Sequence, residues 1–265
     1  VAKKDGIVVD LALAKKLWRL VSKGLTDGIG QPEPGRMCVE AAVCYALGLK
    51  HGDDPPCVGE QVRCNKIDLN DCMWSDDKAR GRGLRDVAIA QLGSNKISQK
   101  KYENVVRRLL AQRLLVPAVN AYLRSSNKLA NEDRATLVGI VKKLSDVTPR
   151  TAARTINDAI ALAKSTLAVY GNMYGGGSWP YRNLNGKYDP VAADLKHLAE
   201  CAIRGSVACA AQAMQAMDNF MFTFKGKAKK DEWLLVAAGV ILDALRECDS
   251  PGVKLLDELR TANAA

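Results

Sequence analysis

The chain has 265 residues, is 48% hydrophobic and 26% charged, and carries a formal net charge of +10. That length allows a sizeable hydrophobic core, and the composition is that of an ordinary globular protein, which excludes wholesale disorder. No run approaches the roughly 18 apolar residues of a membrane span. The opening residues lead into an amphipathic stretch, not an apolar signal core, so a cytoplasmic chain with no membrane partner is expected.

Helical periodicity dominates from end to end. Leu13, Leu17, Leu20 and Val21 lie at i, i+4, i+7 and i+8, the spacing of one buried helix face. The same spacing recurs at Tyr102, Val105, Val106, Leu109 and Leu110, then at Leu137, Ile140, Val141 and Leu144, and again at Leu234, Ala238, Ile241, Leu242 and Leu245. In chain order the pattern predicts helices over 9–24, 36–48, 77–92, 98–115, 118–125, 131–145, 149–170, 190–222, 231–247 and 251–262.

Local signals support these boundaries. Ser75-Asp76-Asp77 and Asn131-Glu132-Asp133 place acceptors at the free N–H groups of a first turn. Pro149, Pro190 and Pro251 suit first helical positions, and Gly48 and Gly93 suit C-terminal stops. Pro117 is expected to kink or break the helix begun near Ser98. Residues 51–74 and 170–189 read as irregular, with short extended candidates only at Gly6–Asp10 and Cys64–Leu69. The expected fold is all-α, a compact array of about ten helices, read as one domain over 1–265 with softer edges near 74 and 171–189.

The charge is concentrated. Residues 1–75 and 171–265 are each neutral, whereas 76–170 carry 18 basic and 8 acidic side chains. A local excess of this kind attracts nucleic acid or another polyanion. Solvated helix faces give the same count with no ligand. Arg80, Arg82 and Arg85 share one predicted helix and Lys100, Lys101, Arg107 and Arg108 the next, and these are candidate phosphate contacts.

Five of eight cysteines fall between Cys38 and Cys72, with His51 among them. The gaps of 5, 12, 6 and 7 residues match no zinc finger or ribbon, so no metal is assigned. Free cysteines also serve as small apolar core fillers. The catalytic alternative centres on Cys38: a helix N-terminus and Arg36 would lower its thiol pKa, and His51 or His197 would act as base.

Tyr170–Tyr181 gathers four aromatic residues around Gly175-Gly176-Gly177. It is neither a Walker loop nor a dinucleotide fingerprint, and no cofactor is expected. Tyr174, Gly176, Trp179 and Tyr181 are its candidate ligand contacts, since aromatic faces stack on rings and glycine admits close approach.

Two resemblances bear on source and function. The stretch 34–93, with Gly35-Arg36-Met37-Cys38-Val39-Glu40-Ala41-Ala42 and Ala88-Ile89-Ala90-Gln91-Leu92-Gly93, resembles an uncharacterised family of bacterial and phage proteins and implies such an origin, with no activity attached. Residues 144–157, Leu144-Ser145-Asp146-Val147-Thr148-Pro149-Arg150-Thr151-Ala152-Ala153-Arg154-Thr155-Ile156-Asn157, resemble the turn and recognition helix of helix-turn-helix repressors. That likeness implies that Val147 plugs the core, Thr148 caps the second helix, and Arg150, Thr151 and Arg154 face a major groove. Lys142 and Asp146 depart from the small residue and the glycine usual in that motif.

The expected function is therefore non-enzymatic: binding of nucleic acid or another polyanion through 76–170. A self-assembling scaffold that forms homo-oligomers and a cysteine-dependent enzyme centred on Cys38 are the alternatives.

Overall fold

The computed structural model describes residues 7–125, 131–148, 150–151, 154–158, 161, 190–221 and 231–264. The fold is all-α. Among the described residues there are eleven α-helices and no strand, only an isolated bridge between Gly30 and Met37. No described helix is long and apolar enough to cross a membrane.

The chain forms two compact units, one of residues 1–106 with 229–265, the other of 107–228. The division falls at neither residue 74 nor 171–189, and 171–189 lies outside the described residues.

The first unit contains α1 (Leu11–Val21), α2 (Val39–Ala46), α3 (Glu60–Asn70), α4 (Asp77–Ala90), most of α5 (Gln99–Leu110), α10 (Glu232–Glu247) and α11 (Pro251–Ala264). Carboxylate caps define the start of two of these helices. The Asp10 carboxylate accepts from Leu13 N at 2.8 Å, and that of Asp76 from Ala79 N at 2.7 Å, each satisfying a first-turn donor. Pro251 opens α11, and Gly48, with φ +70°, follows the end of α2, as the proline and glycine signals anticipate.

Helix α4 is the centre of this unit, packed on α1, α2, α10 and α11. Its buried face is Leu84, Val87, Ala88, Ile89 and Ala90. Two glycines set its distances to neighbours. A Cβ on Gly81 would meet the Val21 carbonyl and Gly24, and one on Gly252 would strike the carbonyls of Ile89 and Ala90. At the same end of α4, Ser250 Oγ donates to Ala90 O at 2.7 Å.

The second unit contains a π-helical turn (Ala111–Leu115), α6 (Val116–Ser125), α7 (Asn131–Ser145), a helical turn over 154–158, α8 (Pro190–Arg204) and α9 (Val207–Met221). The π turn is its hub and packs on α6, α7, α8 and α9 through Ala111, Leu114 and Leu115.

Three predicted elements need correction. Residues 60–70 are helical, so Cys64–Leu69 is not extended. Pro117 does not break its helix. The chain widens into the π turn before it and continues as α6, because the wider turn accommodates a ring that would clash with the carbonyl four residues back. The long helix predicted over 190–222 is a hairpin of α8 and α9, divided by Gly205 at φ +71°, a conformation that ends helices. Of the helix predicted over 149–170, only 150–151, 154–158 and 161 are described.

Candidate functional site

The site is the hairpin that begins with α7. Glu132 and Asp133 occupy its first turn and Lys142 and Lys143 its last, an order that complements the helix dipole. Leu137, Ile140 and Leu144 are buried, whereas Lys142 and Lys143 are exposed. Val147, in the turn, is buried, and so is Ile156 in the next helical turn.

Thr148 makes the second helix start. Its Oγ1 accepts from Thr151 N at 3.3 Å, and Thr151 Oγ1 accepts from Thr148 N at 3.2 Å. This reciprocal pair satisfies two donors that the backbone leaves open, as a capping box does. Thr155 N then donates to Thr151 O at 2.8 Å and the helix is under way. Arg150 and Arg154 are exposed, and Arg154 Nε lies 3.9 Å from the Asp158 carboxylate, an exposed pairing that constrains it little.

The turn is also held from the π turn. Gln112 Nε2 donates to Ser145 O at 3.1 Å and to Val147 O at 3.2 Å. Arg108 Nη1 donates to Gln112 Oε1 at 2.8 Å and so fixes the amide in that orientation. The sequence reading missed this clamp, because an exposed-looking Gln between two arginines carries no motif.

The other expected basic contacts divide by environment. Arg80 is a correction: it is buried, Nε donating to Asn70 O at 2.8 Å and Nη1 to Leu25 O at 2.9 Å, with Asp77 at 2.5 Å. Its guanidinium joins α3, α4 and the segment after α1, so Arg80 holds the fold together from within. Arg85 lies over the Trp18 ring at 4.0 Å, a cation–π contact. Arg107 Nε donates to Ile203 O at 2.8 Å, and Arg108 serves Gln112. Thr151 is exposed, and its hydroxyl takes part in the cap with Thr148. Arg82, Lys100 and Lys101 are exposed in the first unit, with Lys101 Nζ 3.6 Å from Asp249. Tyr174, Gly176, Trp179 and Tyr181 lie outside the described residues.

The catalytic expectation for Cys38 meets an opposite electrostatic result. Cys38 is the N-cap of α2, with Sγ accepting from Ala41 N at 3.3 Å. That bond lowers its pKa, but burial outweighs it and pushes the thiol up. Arg36 is exposed and paired with Glu33 at 3.4 Å. His51 Nε2 is committed to Gly30 O at 3.2 Å. Cys38, Cys44, Cys57 and Cys72 are buried thiols, and among the described residues no three His, Cys, Asp or Glu side chains converge as a metal site.

The most unusual polar feature of the first unit was also invisible in the sequence. Glu40 of α2 and Lys66 of α3 form an ion pair with both side chains wholly buried, close to Gln91 at the end of α4. Burial raises Glu40 and lowers Lys66, and the opposite charge of each partner opposes those shifts.

No family model, no curated protein and no solved structure matches this chain.

Proposed function

We propose that this protein is a non-enzymatic nucleic-acid binder that grips the phosphate backbone with the basic hairpin of its second unit. The carrying observation is where the charge falls. Residues 107–228 hold 17 basic and 8 acidic side chains, whereas 1–106 together with 229–265 hold 22 and 21. Nearly the whole excess thus belongs to one compact unit. The resemblance of 144–157 to a helix-turn-helix supports the same reading, as do the buried Val147 and the Thr148 cap. Lys142, Lys143, Arg150 and Arg154 are the proposed contacts. They neutralise phosphates, contacts that position a duplex without reading its bases.

The test is retention of the full chain on DNA and RNA as a function of salt. Each phosphate contact contributes about 0.9 to the slope of log affinity against log salt on duplex DNA. Arg150→Ala with Arg154→Ala should flatten that slope by about 2. Absence of retention at low salt, or a slope unchanged in the double variant, overturns the reading. A large symmetric particle that forms with or without nucleic acid would favour a self-assembling scaffold instead.

A further inference from the structure

The helical hairpin of α8 and α9 turns at Gly205 and Ser206. Ser206 N donates to Cys201 O at 3.0 Å and Gly205 N to Ala202 O at 3.2 Å, which closes α8 tightly and folds α9 back along it. Cys201 lies four residues before Gly205 and Cys209 four residues after it. Residues equidistant from the turn of an antiparallel hairpin meet across the interface, α8 and α9 pack against each other, and Cys209 is an electrostatic neighbour of the Cys201 thiol. One turn earlier on α8, His197 places Nε2 3.6 Å from Cys201 Sγ. Three reactive groups therefore stand in a row, His197 exposed, Cys201 buried and Cys209 half-buried.

We propose that Cys201 and Cys209 form a peroxide-sensitive dithiol that closes reversibly to a disulfide, with His197 as the proton acceptor. The roles follow from access and environment. Cys209 is the more accessible sulfur and attacks first. Its thiolate takes the distal oxygen of a hydroperoxide: the S–O bond forms, the O–O bond breaks, and the departing oxygen leaves as water or alcohol after protonation. Cys201 Sγ then attacks Cys209 Sγ, the S–S bond forms, the S–O bond breaks and hydroxide departs as water. The two sulfurs together lose two electrons to the peroxide. Burial pushes the Cys201 thiol up to about 12, so it needs a base in contact, and His197 Nε2 is in place to take the proton and release it to solvent.

The chain is well suited to a direct test. Trypsin cuts after Lys196, Arg204 and Lys225, so Cys201 and Cys209 fall in separate peptides, 197–204 and 205–225, each with a single cysteine. After treatment of the native full chain with hydrogen peroxide and alkylation of remaining thiols, these two peptides should appear joined, lighter by two hydrogens than their sum, and separate again on reduction. Exposed Cys64 gauges reagent access in the same digest. Cys201→Ser should strand Cys209 as a sulfenic acid that dimedone traps, and His197→Asn should slow the cross-link while leaving the first oxidation unchanged. The proposal is overturned if both peptides remain separately alkylated, or if Cys209 advances to sulfinic acid with Cys201 still a free thiol.

Discussion

Glu40 and Lys66 are paired at the interface of α2 and α3, where neither side chain retains any contact with solvent. Two charges withdrawn from water in this way lose several kcal/mol each and recover it through each other, so the pair costs little only while it is complete. Either Lys66→Met or Glu40→Gln should destabilise the first unit by about 3–5 kcal/mol. Glu40→Leu together with Lys66→Met should recover most of that loss. Urea unfolding followed by tryptophan fluorescence, to which Trp18, Trp74 and Trp233 contribute from the first unit, measures the cycle. Additive single losses would falsify the pairing as the source of the cost.

Gly252 faces the carbonyls of Ile89 and Ala90 at a separation that admits no side chain. Gly252→Ala should push α11 away from the end of α4 and lengthen the bond from Ser250 Oγ to Ala90 O. Overpacking of this kind costs about 1–3 kcal/mol. Thermal unfolding should show it, and an unchanged melting temperature would mean that the helices part without strain.

Thr148 separates the architecture of the basic hairpin from its charge. Thr148→Ala removes the reciprocal cap with Thr151 and should cost about 0.5–2 kcal/mol of local stability. It should weaken nucleic-acid retention without changing the salt slope, since no cation is lost. A slope that falls as far as in the arginine variant would show that the cap and the arginines are not separable.

Asp76 titrates below the usual aspartate range, because its carboxylate accepts the bond from Ala79 N at the start of α4. A depressed folded value means that its contribution is present above the unfolded-state value and is lost as pH falls through the folded one. Asp76→Asn keeps an acceptor at the cap but cannot titrate. The variant should therefore lose less stability than the parent over that acidic interval, which acid unfolding at fixed salt can compare directly.

Thiol chemistry checks the standing of Cys38. Burial disfavours its thiolate, so iodoacetamide should modify exposed Cys64 well before Cys38 in the native chain. Preferential modification of Cys38 would restore the catalytic alternative.

The parts of the fold that were legible in the sequence are those where one local signal decides the outcome. Asp76, Pro251 and Gly48 each settle a helix end by their own chemistry. Helix α3 was missed for an instructive reason. Its buried residues Val62, Asn65, Lys66, Leu69 and Asn70 have ideal helical spacing, yet three of the five are polar, so a search for apolar periodicity passes over them. Their partners come from elsewhere in the chain: Glu40 for Lys66, and Thr26 O and Val39 N for Asn70. Arg80 escaped for the same reason, since its acceptors at Asn70 and Leu25 are backbone carbonyls that only the tertiary fold brings together. Gly205, at φ +71°, divides α8 from α9 inside an apolar run that reads as one helix over 190–222. In the candidate site, Val147 and the Thr148 cap were visible because they are local, whereas the grip of Gln112 crosses more than thirty residues.

The contacts that complete α4 carry a consequence for the order of assembly. Ser75 bonds Asp231, Asp86 bonds Arg260 and Ala90 accepts from Ser250, so each joins an early residue to one delivered after residue 228. Residues 107–228 form their compact unit from a continuous stretch. On the ribosome, the basic unit is fully translated while α4 still lacks α10 and α11, and its unfinished apolar face waits through that interval for partners not yet made. Long-range closure of this kind is slow, and the first unit can be completed only after α10 and α11 have been made.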